Sequence, residues 1–165
     1  MSTNPVGPIV VCLPPGAVPD LRPIPGRWIR LDPLHVERHA KSLFASIHGK
    51  DDGLWSYMAY GPFASEEVFT AWLRERQAAR DPWFYAIVNR ATGEALGMGA
   101  FMRADAANGS IEIGNIWLSP ALPVLPVVLI LFHNKYKFMN CPTLFLQTPL
   151  VVLVMQLRLL IKPPS

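Results

Sequence analysis

An α/β fold, with a mixed, mainly antiparallel sheet and flanking helices, is what the first 120 residues predict. Two observations carry the prediction. Apolar residues recur at helical spacing in two stretches that each sit behind helix-start chemistry, and three further stretches have strand length and composition with turn residues between them. A third observation limits its extent. No Asp or Glu follows Glu112, and from Pro120 onward the chain is apolar and punctuated by proline.

Taken in order, Met1 to Gly26 holds seven prolines and reads as an extended, polyproline-like arm. Its apolar patch, Ile9 to Leu13, is too short for a secretory leader and has no basic flank. Trp28 to Leu31 reads as a first strand. Asp32 and Pro33 then read as the N-cap and first position of a helix whose apolar face is Val36, Ala40, Leu43, Phe44 and Ile47, with Gly49 as its stop. Asp51 to Phe63 is an aromatic loop. Ser65 caps a second helix, Glu66 and Glu67 complement its dipole, and Val68, Phe69, Trp72 and Leu73 form its buried stripe; Asp81-Pro82 ends it. Trp83 to Val88, Ala95 to Arg103 and Ile111 to Leu118 read as an antiparallel meander, the last pair joined across Asn108-Gly109. Strict alternation in the last strand puts Ile111, Ile113 and Trp117 on one face, and Glu112, Gly114, Ile116 and Leu118 on the other.

Charge separates the two parts. Residues 1–112 carry 11 Lys/Arg against 12 Asp/Glu, whereas residues 113–165 carry only Lys135, Lys137, Arg158 and Lys162, so the net +3 comes from the tail. Four scattered cations are no basic stripe, which argues against nucleic-acid binding. Cys12 and Cys141 are too few and too distant for a disulfide framework or a zinc site, and a reduced, cytoplasmic protein is expected. His35 and His39 stand one helical turn apart, but the order His-Val-Glu-Arg-His is not a protease zinc motif; both are expected to be solvated, with no metal site. His48 is expected to favour the C-terminal dipole of the first helix.

The run from Trp28 to Pro120 resembles the amino-terminal half of the GNAT N-acetyltransferases, closest to the branch that acetylates ribosomal-protein N-termini and small amines. The matching segments are Arg27 to Leu31 with the two helices after it, Trp83 to Val88, Gly93-Glu94-Ala95-Leu96-Gly97, and Ile111-Glu112-Ile113-Gly114-Asn115-Ile116-Trp117-Leu118. The resemblance implies acetyl transfer from acetyl-CoA to a small-molecule or peptide amine. It implies that Glu112 is the base, that Trp55, Tyr57 and Tyr60 line the acceptor side, and that backbone groups of Ile116, Trp117 and Leu118 pair with the pantetheine arm. Without the family, Glu112 reads as a solvated carboxylate on a strand face, and the three aromatics read equally as a seal over the core.

The organisation expected is an arm (1–26), a GNAT-like half-domain (27–120) and a divergent apolar tail (121–165). The family's pyrophosphate loop should follow Ser119-Pro120-Ala121, yet Leu122-Pro123-Val124-Leu125-Pro126-Val127-Val128 offers no glycine and no nearby cation, and two of its positions lack an N–H. Acetyl-CoA binding is therefore expected to be impaired. Tyr136 lacks the surroundings of the family's carboxy-terminal acid. In the tail, Val127 to Phe132 and Leu150 to Ile161 read as buried strands or helix, and Leu144 to Ile161 falls short of a clean membrane span. Two other classes of function stay open: a non-catalytic interaction module, and a membrane-associated protein tethered through residues 144–161.

Overall fold

The computed structural model describes residues 15–50, 52–122 and 124–139. Five strands, β1 (Ile24–Pro25), β2 (Ile29–Pro33), β3 (Trp83–Asn89), β4 (Ala95–Asp105) and β5 (Ser110–Leu118), form one sheet in sequence order. Every neighbouring pair is antiparallel. Helices α1 (Val36–Ile47) and α2 (Glu66–Ala78), joined through a 3-10 helix at Asp52–Tyr57, cover one face, and α3 (Val124–Phe138) covers the other. The α/β class and the antiparallel meander are those the sequence predicts.

The start of α1 differs from the prediction. Pairing with β3 carries the strand through Asp32, opposite Ala86, and Pro33, opposite Tyr85, so the helix begins only at Val36 with His35 as N-cap. The Asp32 carboxylate is buried and taken by the Arg30 guanidinium at 2.5 and 2.7 Å, which removes it from capping. Two other side chains meet the exposed amides instead. The His35 N–H donates to His39 Nδ1 at 3.1 Å, and the Val36 N–H to Gln77 Oε1 of α2 at 2.6 Å. At the other end Gly49 takes φ +65°, the left-handed position that stops a helix and favours glycine.

Helix α2 starts as predicted, with Ser65 Oγ accepting from the Val68 N–H at 3.4 Å. Phe69 and Leu73 are fully buried and Trp72 half-buried, but Val68 is exposed: at the first turn it projects off the edge of the packed face. The first face also takes Trp55, Phe84, Ala86, Met98, Ala100 and Trp117 into its core.

The apolar run after Pro120 forms α3 and closes the second face over Ile29, Leu31, Tyr85, Ile87 and Phe101. Pro126 sits in its first turn, where a missing N–H costs no helical bond. The arm also acquires structure at its end. β1 pairs with β2, and the chain before it is tied by Gly16 N–H to Ala106 O (2.8 Å) and Ala17 N–H to Phe138 O (2.7 Å). A Cβ on Gly16 would lie 2.7 Å from Phe138 O, so this close crossing needs glycine. Cys12, Cys141 and residues 144–161 lie outside the described residues. No described helix is long and apolar enough to cross a membrane.

Candidate functional site

Strand β5 is bulged at the place where the resemblance puts the reaction. Its register with β4 runs from Met98 opposite Trp117 to Ala100 opposite Gly114, so Asn115 and Ile116 stand against Gly99 alone. Asn115 takes φ +50° to absorb the extra residue. The bulge breaks the alternation read from sequence. Ile111 and Ile113 share the α3 face with Ile116 and Leu118, while Trp117 turns into the α1–α2 core. Glu112, alternating with Ile111 and Ile113, lies on the same side of the strand as Trp117. Beyond β5 the sheet has no further strand among the described residues, so one edge of β5 is open there.

On the α1–α2 face the aromatic residues form a continuous cluster. Trp55 is buried, edge-on to Phe63 (5.4 Å between centroids, 86°) and to Tyr60 (6.1 Å), and 6.2 Å from Trp117. Tyr60 packs 4.5 Å from Trp72, and Arg76 lies over the Trp72 ring. The structure thus brings together Trp55 and Tyr60, expected on the acceptor side, with Trp117, expected on the donor strand. Tyr57 ends the 3-10 helix. The Tyr60 hydroxyl, Trp72 Nε1 and Trp117 Nε1 are buried without a hydrogen-bond partner among the described residues. Burial also pushes the Tyr60 hydroxyl well above the ordinary tyrosine range. An apolar cleft of about 340 Å³ adjoins Trp55, lined chiefly by Phe44, Ile47, His48, Pro62 and Phe63, and none of its lining residues is acidic.

Glu112 stands apart from that cluster. It is half exposed, opposite Met102 of β4, and Arg103 Nη1 donates to its Oε2 at 2.7 Å. The Ile116 and Leu118 side chains face α3, so what these residues can offer at the open edge of β5 is backbone rather than side chain.

The two helix-start histidines differ from the expectation that both are solvated. His35 is part-exposed beside Glu37, but His39 is buried, its Nε2 4.0 Å from Asp32 Oδ2. Burial lowers its pKa from 6.5 to about 4, with Asp32 opposing the shift in part. A neutral His39 is what its geometry requires, because Nδ1 accepts from the His35 N–H. No group of three potential metal ligands occurs among the described residues. His48 is the C-cap residue of α1, stacked on Phe44 at 4.5 Å.

The turn after β5 is closed on itself. Ser119 N–H donates to Leu96 O (2.8 Å), Ala121 N–H to Ser119 Oγ (3.4 Å), and Leu122 N–H to Ser119 O (2.9 Å). Pro120, Pro123 and Pro126 have no N–H, which leaves at most Val124 and Leu125 to meet an anion at the start of α3.

Solved structures of known proteins share this architecture. A GCN5-related N-acetyltransferase of Brucella melitensis superposes with a TM-score of 0.72 at 29% identity, over 77% of this chain and 60% of its own. A GNAT-family protein of Chromobacterium violaceum gives 0.70 at 28%, over 84% and 71%. The chain has the GNAT fold and resembles the family in sequence. A third structure, a Vibrio cholerae protein described as a ribosomal-protein-serine acetyltransferase, reaches a TM-score of 0.56 at 11% identity, a likeness of fold alone. The chain spans 60% of the length of the Brucella protein. No protein-family model and no curated protein sequence matches it.

The fit of this chain to acetyl-CoA divides at Ser119. The open, bulged strand suits an extended amide-bearing arm, which can pair with free strand-edge groups. The turn does not suit a pyrophosphate: the amides of Ser119, Ala121 and Leu122 are turned to carbonyl and hydroxyl oxygens of the chain, and residues 104–134 contain no Lys or Arg.

Proposed function

We propose that this protein is a GNAT-type N-acyltransferase that moves an acetyl group from a thioester to an amine. One observation carries the proposal: a bulged strand with an open edge that sets Trp117 against the acceptor-side Trp55. In this reading the amine lone pair attacks the thioester carbonyl carbon, the C–N bond forms, and the C–S bond breaks to release the thiol. The amine nitrogen must also lose a proton. Glu112 is the base we assign to it, directly or through one water, and Arg103 orients that carboxylate. Trp55, Tyr57 and Tyr60 exclude water on the acceptor side, and the backbone of Ile116 to Leu118 holds the thioester arm. Acetyl-CoA supplies the activated acyl group when bound.

The test is thiol release from acetyl-CoA in the presence of a panel of amines, with Glu112→Gln as the variant. Loss of a general base lowers kcat by about 10²- to 10⁴-fold with little change in acceptor KM. An unchanged kcat would return Glu112 to a surface ion pair.

The closed turn at Ser119–Leu122, together with the exposed Leu125 and Leu129 of α3, favours a second reading: a non-catalytic GNAT-like domain that binds another protein. Calorimetric titration of acetyl-CoA into folded protein separates the two. Saturable binding supports the transferase, and none supports the interaction module.

A further inference from the structure

We infer that the acyl donor is recognised through its pantetheine and thioester portion alone, and that the nucleotide half of coenzyme A makes no productive contact with this chain. The inference rests on the transferase reading and narrows its donor.

Three observations converge on the segment after β5. Three of the eight residues from Ser119 to Pro126 are prolines and have no amide N–H to offer. The amides of Ser119, Ala121 and Leu122 are already spent on Leu96 O, Ser119 Oγ and Ser119 O. Along the sequence, Arg103 and Lys135 are the nearest cations on either side, 16 residues before and 16 residues after Ser119. A nucleotide diphosphate carrying a further phosphate brings several negative charges. It needs convergent N–H donors or cations, and each charge-assisted bond that is missing weakens binding about tenfold or more.

The strand side differs in kind. An extended pantetheine arm is neutral and carries two amides, so it needs strand-edge hydrogen bonds and an apolar flank rather than charge. β5 has an unpaired edge among the described residues, and its bulge at Asn115 turns Trp117 inward while keeping Ile116 and Leu118 on the opposite face. The specificity that follows is for a pantetheine thioester in any setting: free, carried by a protein, or within coenzyme A.

Two measurements on the full chain test this. In thermal melts, S-acetylpantetheine should raise the melting temperature saturably, and 3′-phosphoadenosine 5′-diphosphate should leave it unchanged. A saturable rise with the nucleotide overturns the inference, and so does the absence of a rise with the pantetheine thioester. In turnover with an amine acceptor, kcat/KM for acetyl-CoA and for S-acetylpantetheine should agree within about tenfold, the weight of one charge-assisted bond. A larger advantage for acetyl-CoA overturns it. Binding of the thioester without acetylation of any amine would sink the transferase reading while leaving the donor preference standing.

Discussion

The two faces of the sheet are closed by helices of opposite character. α1 and α2 are amphipathic and bury a defined stripe; α2 starts on its own Ser65 cap, and the first amide of α1 is held by Gln77 of α2. The first nine residues of α3, Val124 to Phe132, are apolar on every side, and its polar residues come only after them: Val127, Ile130 and Leu131 are buried, while Leu125 and Leu129 stand in solvent. A stretch with no polar residue cannot announce which side it will bury. The choice is made by the sheet, where Ile29, Leu31, Tyr85, Ile87 and Phe101 would otherwise lie bare. The first face is specified by pattern within its helices; the second is specified by the surface it must cover.

The sharpest way to break this comparison is to remove one anchor from each face. Phe69→Ala empties a fully buried site under α2, and Leu131→Ala does the same under α3. The expected losses are about 3–5 and about 2–5 kcal/mol, transfer plus cavity terms. Urea unfolding should show both variants lowering the midpoint of one shared transition. If Leu131→Ala left the midpoint in place while Phe69→Ala moved it, α3 would not belong to the cooperative unit.

The first face also contains a pH-sensitive contact. His39 titrates near 4 in the folded chain, against 6.5 for an unburied imidazole, because burial disfavours its charged form. The unfolded state therefore binds the proton first as pH falls. Its stabilising effect is complete above about pH 6.5 and is lost progressively down to about pH 4, some 3 kcal/mol in all. Protonation would also turn Nδ1 into a donor facing the His35 N–H, at the start of α1. The groups around it act in both directions: Asp32 favours the charge, while Arg30, Arg38 and His35 oppose it. His39→Gln should remove most of the slope of stability between about pH 6.5 and pH 4. Unfolding midpoints that fell equally in both proteins would sink the assignment and place the acid sensitivity elsewhere.

What could be read from the sequence follows from the range of the forces involved. The Val36, Ala40, Leu43 and Ile47 stripe, the Gly49 stop and the Ser65 cap are set by neighbours within one or two turns, and all are observed. Asp32 was misplaced because its fate depends on β3, more than fifty residues away, which pairs with it as strand before a cap can form. The cluster of Arg30, Asp32, His39 and Gln77 carried no signal beyond a histidine close to an apolar face. Within the candidate site, the aromatic loop was legible as an aromatic cluster. The contact of Trp55 with Trp117 was not, because alternation assigned Trp117 to the wrong face; only the tolerance of Asn115 for positive φ hinted at a bulge.

The smallest expected effects compare the caps of the two first-face helices. The Val36 N–H is held by Gln77 from another helix, part-buried at 2.6 Å, whereas the Val68 N–H is held by the local Ser65 at an exposed 3.4 Å. Water can replace the Ser65 hydroxyl easily and the Gln77 carbonyl less so, because an amide left unpaired near the core keeps its desolvation cost. Gln77→Ala should therefore cost about 1 kcal/mol and Ser65→Ala about 0.5 kcal/mol, although serine is the residue that cap statistics favour. Amide hydrogen exchange localises the difference: Gln77→Ala should speed exchange at Val36 selectively, and Ser65→Ala only at the first turn of α2. Equal losses in both would mean that the α1–α2 bond contributes no more than an ordinary local cap, and that the two helices are held together by their apolar contact alone.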